Sequence, residues 1–187
     1  MKLFMITFIG DDKRMKNFNL VKKLSGNRLE LFKAINTVDH FDEHCKKGVK
    51  DGIISQACVK IYKDDKRWGG VGCCLSHIAL FRQIKQADFY GEDWFLILED
   101  DVGVKGGFIE QLETIDFGDS LFVRLLHNPG WDNRFAHQFD HTYRIKGDIY
   151  RMIPQWHTIA QLIHRDGIEY LLSKLPVTNC IDLWYNQ

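Results

Sequence analysis

Several features that define membrane proteins and nucleic-acid-binding proteins are missing from this sequence. Its apolar runs are far shorter than a membrane span, which predicts no transmembrane segment. The run Leu3–Ile9 leads into Asp11 and Asp12 rather than into a small-residue cleavage site. It is therefore interpreted as a strand and not as a signal peptide. Lys plus Arg and Asp plus Glu both number 25, so neither nucleic acid nor an anionic membrane is predicted as a partner.

A disulfide framework is also missing. The cysteines number five, and they include no C-x-x-C pair. A chain of 187 residues can bury a sufficient core without cross-links, so the sequence predicts reduced thiols and a cytoplasmic location. Cys73, Cys74 and His77 could be imagined as zinc ligands. Adjacent cysteines point in different directions, however, and this spacing is unusual for zinc, so no zinc site is predicted.

What is present indicates a globular α/β protein. Hydrophobic residues make up 45% of the chain and aromatic residues 13%. No repeat or low-complexity tract divides the sequence, which predicts a single domain over residues 1–187. The chain opens with a predicted strand over Leu3–Ile9, a helix carrying Met15 and Phe18 and ending near Gly26, and a strand over Arg28–Ala34. This order is typical of a βαβ unit and predicts a mostly parallel central sheet.

The later elements are patterned less regularly. We interpret Asn36–Gly70 as irregular structure, a flap beside a site, and the glycines of Trp68–Gly72 as permitting a tight turn or a close backbone approach. The other predicted elements are a helix over Cys73–Phe81, a strand ending at Asp101, a helix over Phe108–Ile115, a strand over Ser120–Leu126, a loop over His127–Lys146, a strand over Thr158–Ile163 and a helix over Gly167–Leu175.

The most informative segment joins an apolar run, Trp94–Leu98, to three consecutive carboxylates, Glu99, Asp100 and Asp101. A short apolar run bounded by polar residues predicts a buried strand, and open α/β sheets bind ligands beyond the carboxyl ends of their strands. Three adjacent acids repel each other unless a cation lies among them, and hard divalent cations prefer oxygen ligands. We expect a metal site here. The alternative is that one acid caps the next segment and the others face water.

Two motifs give the chain a family resemblance. Gly72–His77 reads G-C-C-L-S-H, and Leu96–Asp101 reads L-I-L-E-D-D. In content, order and separation they resemble the G-C-x-L-S-H and L-I-L-E-D-D motifs of the family 25 glycosyltransferases. That family includes lipooligosaccharide-type galactosyl- and glucosyltransferases and the collagen galactosyltransferases.

Weaker parts of the resemblance lie toward the two ends of the chain. The family's opening I-N-L is Ile6-Thr7-Phe8 in this chain. Arg14 stands where the family commonly has arginine. Thr158–Gly167 is similar to the family's a-Y-l-i-s-r-x-G-A, with Gln161 or Leu162 in place of the tyrosine. Asp182, preceded by isoleucine, follows like the family's V-D or I-D.

The resemblance implies a GT-A-like (Rossmann-like) nucleotide-sugar-binding domain. The implied reaction moves galactose or glucose from a UDP-sugar to an acceptor hydroxyl with inversion at the sugar carbon. The residues implied at the cofactor and donor are Thr7, Arg14, Ser76, His77, Glu99 and Asp100. Because oxygen ligands suit Mn²⁺ or Mg²⁺, we expect Asp101 to bind the metal directly. Glu99 or Asp100 would complete the metal shell through water or contact the donor ribose.

Each of these roles has a simpler structural alternative. His77 could donate to a phosphate or be an ordinary buried histidine, and Arg14 could contact the diphosphate or uracil or remain on a helix surface. Ser76 is more typical of capping or packing than of nucleophilic catalysis. Asp182 is the candidate catalytic base because apolar neighbours would partly desolvate it, and a cap of a terminal turn is its alternative.

Other classes of function remain as alternatives. The chain ends five residues after Asp182, where many relatives continue, so a catalytically inactive nucleotide-sugar or glycan binder is the first of them. A metal-dependent phosphohydrolase is the second and weaker one, since no P-loop is present. A glycan, a lipid-linked glycan and a protein hydroxyl all fit as the acceptor. Trp131, Trp156 and Trp184 are candidates for stacking on sugar rings, whereas His137 and His141 are interpreted as part of a solvated loop.

Overall fold

The computed structural model of the protein describes residues 1–87, 89, 91–125, 144–146, 149–150 and 159–185. The strands are β1 Lys2–Thr7, β2 Leu29–Lys33, β3 Trp94–Glu99, β4 Phe122–Arg124, β5 Arg144–Lys146, β6 Ile149–Tyr150 and β7 Ala160–His164. The helices are α1 Asp12–Leu24, α2 Phe41–Lys50, α3 Gln56–Asp64, α4 Trp68–Gln86, α5 Phe108–Glu113, α6 Arg165–Ser173 and α7 Ile181–Trp184.

Five strands form the central sheet in the order β2-β1-β3-β7-β4. β1 pairs in parallel with β2 and β3, and its Met5 lies opposite Leu31 on one side and Leu98 on the other. β7 is antiparallel to both β3 and β4, so it alone among the five runs in the reverse direction. The predicted α/β class with a mostly parallel sheet is confirmed. β5 and β6 form a separate antiparallel pair.

Alternate residues of the central strands pack into two hydrophobic clusters. Phe4 and Ile97 belong to the cluster that includes residues of α2, α3, α4 and α6. Leu3 and Leu96 belong to the cluster that includes residues of α1 and α5. Because successive side chains of a strand point to opposite faces, β1 and β3 are covered on both faces. This double coverage explains why the two strands read as continuous apolar runs.

The opening βαβ unit forms where the sequence predicts it. The side chain of Asp11 caps α1 by accepting a hydrogen bond from the Arg14 backbone N–H at 3.0 Å. Phe18 and Val21 are the buried residues of α1. Gly26 follows the helix end with a φ of 63°, a left-handed conformation that glycine adopts at low cost.

The prediction of irregular structure over Asn36–Gly70 is wrong. The segment contains α2, α3 and the start of α4. The buried face of α2 includes Cys45 and Gly48, and that of α3 is formed by Cys58 and Tyr62. Aromatic, small and sulfur-containing residues on these faces leave little of the aliphatic periodicity by which a helix is recognised in sequence.

The glycines of Trp68–Gly72 do not form a turn, because they lie within α4. Their second predicted property, close approach, does hold. A Cβ added to Gly72 would lie 2.4 Å from the Ile35 carbonyl oxygen, and one added to Gly70 would lie 2.1 Å from the Tyr62 ring. The absence of side chains therefore lets α4 pack against α3 and the segment after β2.

The remaining elements agree with the sequence to within a few residues. β3, β4, β7, α5 and α6 all lie within or beside their predicted segments. Most of the predicted loop over His127–Lys146 lies outside the described residues, and its last three residues form β5. Trp131, His137, His141 and Trp156 also lie outside them. In the described part of the chain, no helix combines the length and the apolar character needed to cross a membrane.

Candidate functional site

The acid triplet lies at the carboxyl edge of the parallel strands, where β1 and β3 end side by side. Asp100 is buried, and its carboxylate accepts hydrogen bonds from the Phe8 backbone N–H at 3.2 Å and from the Arg14 guanidinium. Arg14 also lies over the Phe8 ring, with its Cζ 5.1 Å from the ring centroid. The Asn17 amide donates to the Asp100 backbone carbonyl at 3.0 Å. Asp100 and Arg14 therefore join the start of α1 to the end of β3.

Asp101 has the opposite environment, since its side chain is exposed. Partial desolvation and the negative charges of Glu99 and Asp100 raise the pKa of the Asp101 carboxyl, although the positive charge of Arg14 opposes the rise. A cation beside Asp101 would relieve this repulsion. The site therefore fits a divalent ion held by one or two carboxylates together with substrate phosphates, which is the usual mode for Mg²⁺.

Glu99, the last residue of β3, contacts two side chains of α4. His77 Nε2 lies 3.2 Å from Glu99 Oε1, and the Cys73 thiol donates to the same oxygen at 3.4 Å. Cys73 and His77 are four residues apart on α4, so their side chains share a face. His77 is fully buried, and among the described residues its Nδ1 has no hydrogen-bond partner. The ligand atoms of Cys73, His77 and Glu99 all lie within 4.8 Å of one another.

A cavity of about 200 Å³ adjoins this cluster. It is lined by Tyr62, Arg67, Gly70, Cys73, Glu99, Ile181 and Asp182. Two residues predicted from the sequence, Glu99 and Asp182, therefore share one cavity although they are far apart in the chain. Arg67 contributes a cation to the same space, and its guanidinium donates to Asp65 at 2.8 Å and to the Cys180 sulfur at 3.0 Å.

Asp182 is held in the first turn of α7, where its side chain is half-buried. The buried guanidinium of Arg124 donates a hydrogen bond to the Asp182 backbone carbonyl. Burial lowers the pKa of Arg124, and the negative charge of Asp182 opposes that shift. The Ile181 backbone N–H donates to the Tyr62 hydroxyl at 3.1 Å, which fixes the other side of the turn. These contacts hold the turn that carries Asp182 beside the cavity.

Two further predicted residues are buried beside the site. Ser76 Oγ accepts from the Ile35 backbone N–H at 2.8 Å and donates to the Gly72 carbonyl at 2.6 Å. The hydroxyl thus joins α4 to the chain that follows β2. Thr7, at the end of β1, is fully buried, and its Oγ1 has no hydrogen-bond partner within the described part of the chain. Neither side chain lines the cavity.

Of the tryptophans predicted to stack on sugar rings, Trp184 lies within the described residues. Trp184 is buried, with 1% of its surface exposed, so it belongs to the core and not to a sugar-binding surface. Trp68, which is not among the tryptophans predicted from the sequence, is 36% exposed and packs edge-on against Phe41 with ring centroids 4.7 Å apart. It helps to line a larger cavity of about 460 Å³ with Val38, Asp39, His40, Phe41, Asp42, Glu43 and Lys63.

Sequence reasoning missed Arg67, Tyr62 and the pairing of Cys73 with Glu99. Arg67 lies in a charged run, Lys63–Arg67, that reads as an ordinary solvated turn. Tyr62 lies in α3, a helix that was not predicted. The i, i+4 spacing of Cys73 and His77 on the predicted helix over Cys73–Phe81 was a signal of a shared face, but nothing in the sequence placed Glu99 against that face.

Comparison with known proteins gives one family. The sequence model described as glycosyltransferase family 25 (LPS biosynthesis protein) matches residues 1–173. The matched span contains the acid triplet and the segment around His77, and it ends before Asp182. No curated protein matches the chain.

Proposed function

The chain belongs to glycosyltransferase family 25, and on that premise we propose that it transfers galactose or glucose from a UDP-sugar to an acceptor hydroxyl. The family resemblance seen in the sequence is confirmed, and it implies a sugar donor and a glycan acceptor. The hexose, the uridine nucleotide, the divalent ion and inversion are the finer parts of the proposal. A GT-A-type arrangement of the sheet is part of it as well.

The observation that carries the proposal is the shared cavity of Glu99 and Asp182. It opens at the carboxyl end of β3, where ligands of open α/β sheets bind. It combines two carboxylates with the guanidinium of Arg67 in about 200 Å³. Sugar transfer requires a cationic environment for a departing diphosphate and a carboxylate for the attacking hydroxyl, and the cavity supplies both types of group.

The donor diphosphate is proposed to lie at the exposed edge formed by Asp101 and Arg14. Charge that gathers on the departing diphosphate would be neutralised by a bound Mn²⁺ or Mg²⁺, which Asp101 would hold with Glu99 as an additional ligand. Arg14 is already positioned by Asp100, and 41% of its side chain remains exposed. It can therefore bind an additional anion at this edge.

The acceptor is proposed to be activated by Asp182. Its carboxylate takes the proton of the acceptor hydroxyl while the acceptor oxygen bonds to the sugar carbon. The bond from that carbon to the phosphate oxygen breaks, and UDP leaves with the bonding electrons. The new bond forms on the face opposite the leaving group, which inverts the configuration. A positioned base of this kind contributes on the order of 10²–10⁴ in rate.

The larger cavity is the proposed location for the remainder of a glycan acceptor. Lys63 and Trp68 line it, and each is next in sequence to a residue of the smaller cavity, Tyr62 or Arg67. The partly exposed ring of Trp68 suits the C–H face of a sugar, and the carboxylates of Asp39 and Glu43 suit its hydroxyls. Lipid-linked glycans and protein-bound hydroxyls are the other acceptors that would present a hydroxyl to Asp182.

The test is a transfer assay with UDP-galactose and UDP-glucose against a panel of glycan acceptors. Asp182→Asn is expected to lower kcat by about 10²–10⁴ while the donor KM changes little, because the amide keeps the shape but cannot accept the proton. Asp119→Asn, at an exposed position on a distant turn, is the matched control and is expected to retain full turnover. Full turnover in Asp182→Asn would exclude Asp182 as the base.

The same assay separates the alternatives. UDP binding with neither transfer nor hydrolysis of the donor would identify an inactive binder. Release of inorganic phosphate from nucleotides, without preference for a sugar, would identify a phosphohydrolase.

A further inference from the structure

The cluster of Cys73, His77 and Glu99 differs in chemistry from the acid edge at Asp101. We propose that Cys73 Sγ, His77 Nε2 and Glu99 Oε1 form a binding site for a Zn²⁺-class ion, with a fourth coordination position open to the cavity. This site shares Glu99 with the donor-associated ion of the proposed function but differs from it in its sulfur and nitrogen ligands, which come from α4. Its ligands come entirely from the protein, so it would be occupied without any nucleotide.

The first argument is the arrangement of the ligand atoms. In a tetrahedral zinc site the bond lengths to sulfur, nitrogen and oxygen place neighbouring ligand atoms about 3.3 to 3.6 Å apart. Glu99 Oε1 lies 3.2 Å from His77 Nε2 and 3.4 Å from Cys73 Sγ, and all three atoms lie within 4.8 Å of one another. The two distances to Glu99 Oε1 are therefore close to those of a tetrahedral site, and the distance from Cys73 Sγ to His77 Nε2, at most 4.8 Å, would shorten on binding.

The second argument is rigidity. Cys73 and His77 belong to one face of α4, a helix whose buried residues include Val71, Cys74 and Ile78. Glu99 ends a central strand that is paired on both sides. Ligands carried on such elements are positioned before the metal arrives, which lowers the entropic cost of binding.

The third argument concerns selectivity. A thiolate and an imidazole favour zinc over manganese and magnesium, which prefer oxygen ligands. Metal binding requires Cys73 as its thiolate and releases the thiol proton to solvent. With three protein ligands and an adjoining cavity lined by Asp182 and Arg67, the site has the open form in which water or substrate takes the fourth position.

The test is a metal titration of the reduced, chelator-treated full chain without nucleotide. Cobalt(II) is expected to bind at one equivalent per chain and to produce a thiolate-to-cobalt charge-transfer band. Zinc is expected to displace the cobalt, whereas manganese is not. Because no donor is present, the result is independent of whether the chain transfers sugar.

Variants distinguish the cluster from the other thiols. Cys73→Ser is expected to abolish the charge-transfer band, and Glu99→Gln to retain a band while weakening zinc binding. Removal of either ligand should lower the zinc affinity by more than the roughly 10–100-fold decrease that follows the loss of an outer-shell partner. Cys45→Ser, in which the buried thiol of α2 is removed, and Asp101→Asn are expected to bind zinc like the parent.

Three results would overturn the proposal. They are the absence of a cobalt charge-transfer band in the parent, unchanged zinc affinity in Cys73→Ser and Glu99→Gln, and displacement of zinc by equimolar manganese. Any of them would mean that the two contacts to Glu99 are ordinary hydrogen bonds. Far-ultraviolet circular dichroism of each variant establishes that a lost signal does not arise from unfolding.

Discussion

Asp100 and Asp101 are neighbours in the chain but differ in what they do for the fold. The buried Asp100 is paired with Arg14 and with a backbone N–H, so its charge is compensated. Asp101 is exposed, its pKa is raised, and it has no salt bridge within the described residues. Removing Asp100 should therefore damage the structure, whereas removing Asp101 should affect a ligand.

The raised pKa of Asp101 gives a prediction for stability. A carboxyl that holds its proton more tightly in the folded state favours folding most at pH values below its unfolded pKa of about 3.9. That contribution is lost as the pH rises through the folded pKa. Asp101→Asn cannot ionise, so it is expected to have a higher Tm than the parent at neutral pH. The difference should shrink as the pH approaches about 4.

Thermal melts across this pH range in the presence of chelator measure the effect. Asp119→Asn removes one carboxylate at another exposed position and controls for the change in net charge. A Tm for Asp101→Asn at or below that of the parent at neutral pH would contradict the inferred repulsion within the triplet. Added stability together with loss of metal-dependent donor binding would be a stability–function trade-off, which is common at binding sites.

At the scale of elements, the position of the site depends on how closely α4 packs. Gly72 faces the Ile35 carbonyl, and the next turn of α4 places Ser76 Oγ against the Ile35 backbone N–H. Ile35 therefore contacts α4 through both its carbonyl group and its backbone N–H. The same helix carries Cys73 and His77, so its distance from the sheet sets the distance of those side chains from Glu99.

Alanine at two glycines of α4 is expected to have opposite effects. A Cβ at Gly72 would lie 2.4 Å from a backbone oxygen, and overpacking of this kind costs about 1–3 kcal/mol. In a domain of this size the Tm should fall by roughly 2–12 °C. Gly69→Ala meets no atom within 4 Å and should stabilise the helix by at most about 1 kcal/mol.

Differential scanning calorimetry of the two variants measures both effects. Equal Tm values would mean that α4 adjusts without cost and that the approach to Ile35 is not a constraint. A fall in Tm confined to Gly72→Ala, accompanied by weaker zinc binding, would connect the packing of α4 to the geometry of the cluster.

The elements that could be predicted are those whose patterns are local. β1 and β3 are apolar along their length because both faces are covered, and the cap at Asp11 and the left-handed Gly26 mark the ends of α1. α2 and α3 could not be predicted because cysteine, glycine and aromatic residues, and not aliphatic ones, form their buried faces. The glycines of α4 left a tight turn and a close approach as alternatives, because both require the same residue, and the structure shows the close approach.

At the scale of the whole molecule, the site is assembled from segments distant in sequence. The position of Asp101 at the carboxyl end of a buried strand could be predicted from the sequence, because the apolar run and the acids are adjacent in the chain. The meeting of Glu99 with Asp182 and Arg67 depends on α7 and on the start of α4. No local pattern specifies that contact, because it results from the packing of both segments over the carboxyl end of β3.

Donor binding can be measured on the intact chain by thermal stability. UDP and Mn²⁺ are expected to act together, because the ion would join Asp101 to the diphosphate. Without the ion, the negative charges of the carboxylate and the diphosphate repel each other. A ligand at a hundredfold excess over its Kd adds about 2.7 kcal/mol to the free energy of unfolding. For a domain of this size, that is a rise in Tm of roughly 5–10 °C.

The design requires UDP alone, Mn²⁺ alone and both together, on the parent, Asp101→Asn and Asp119→Asn. A rise that needs both ligands, is lost in Asp101→Asn and is retained in Asp119→Asn would place the metal-dependent donor at the acid edge. An equal rise with UDP alone would mean that Arg14 and Arg67 bind the diphosphate without an ion. Absence of any rise in the parent would mean that the family's fold is present in this chain without its donor site.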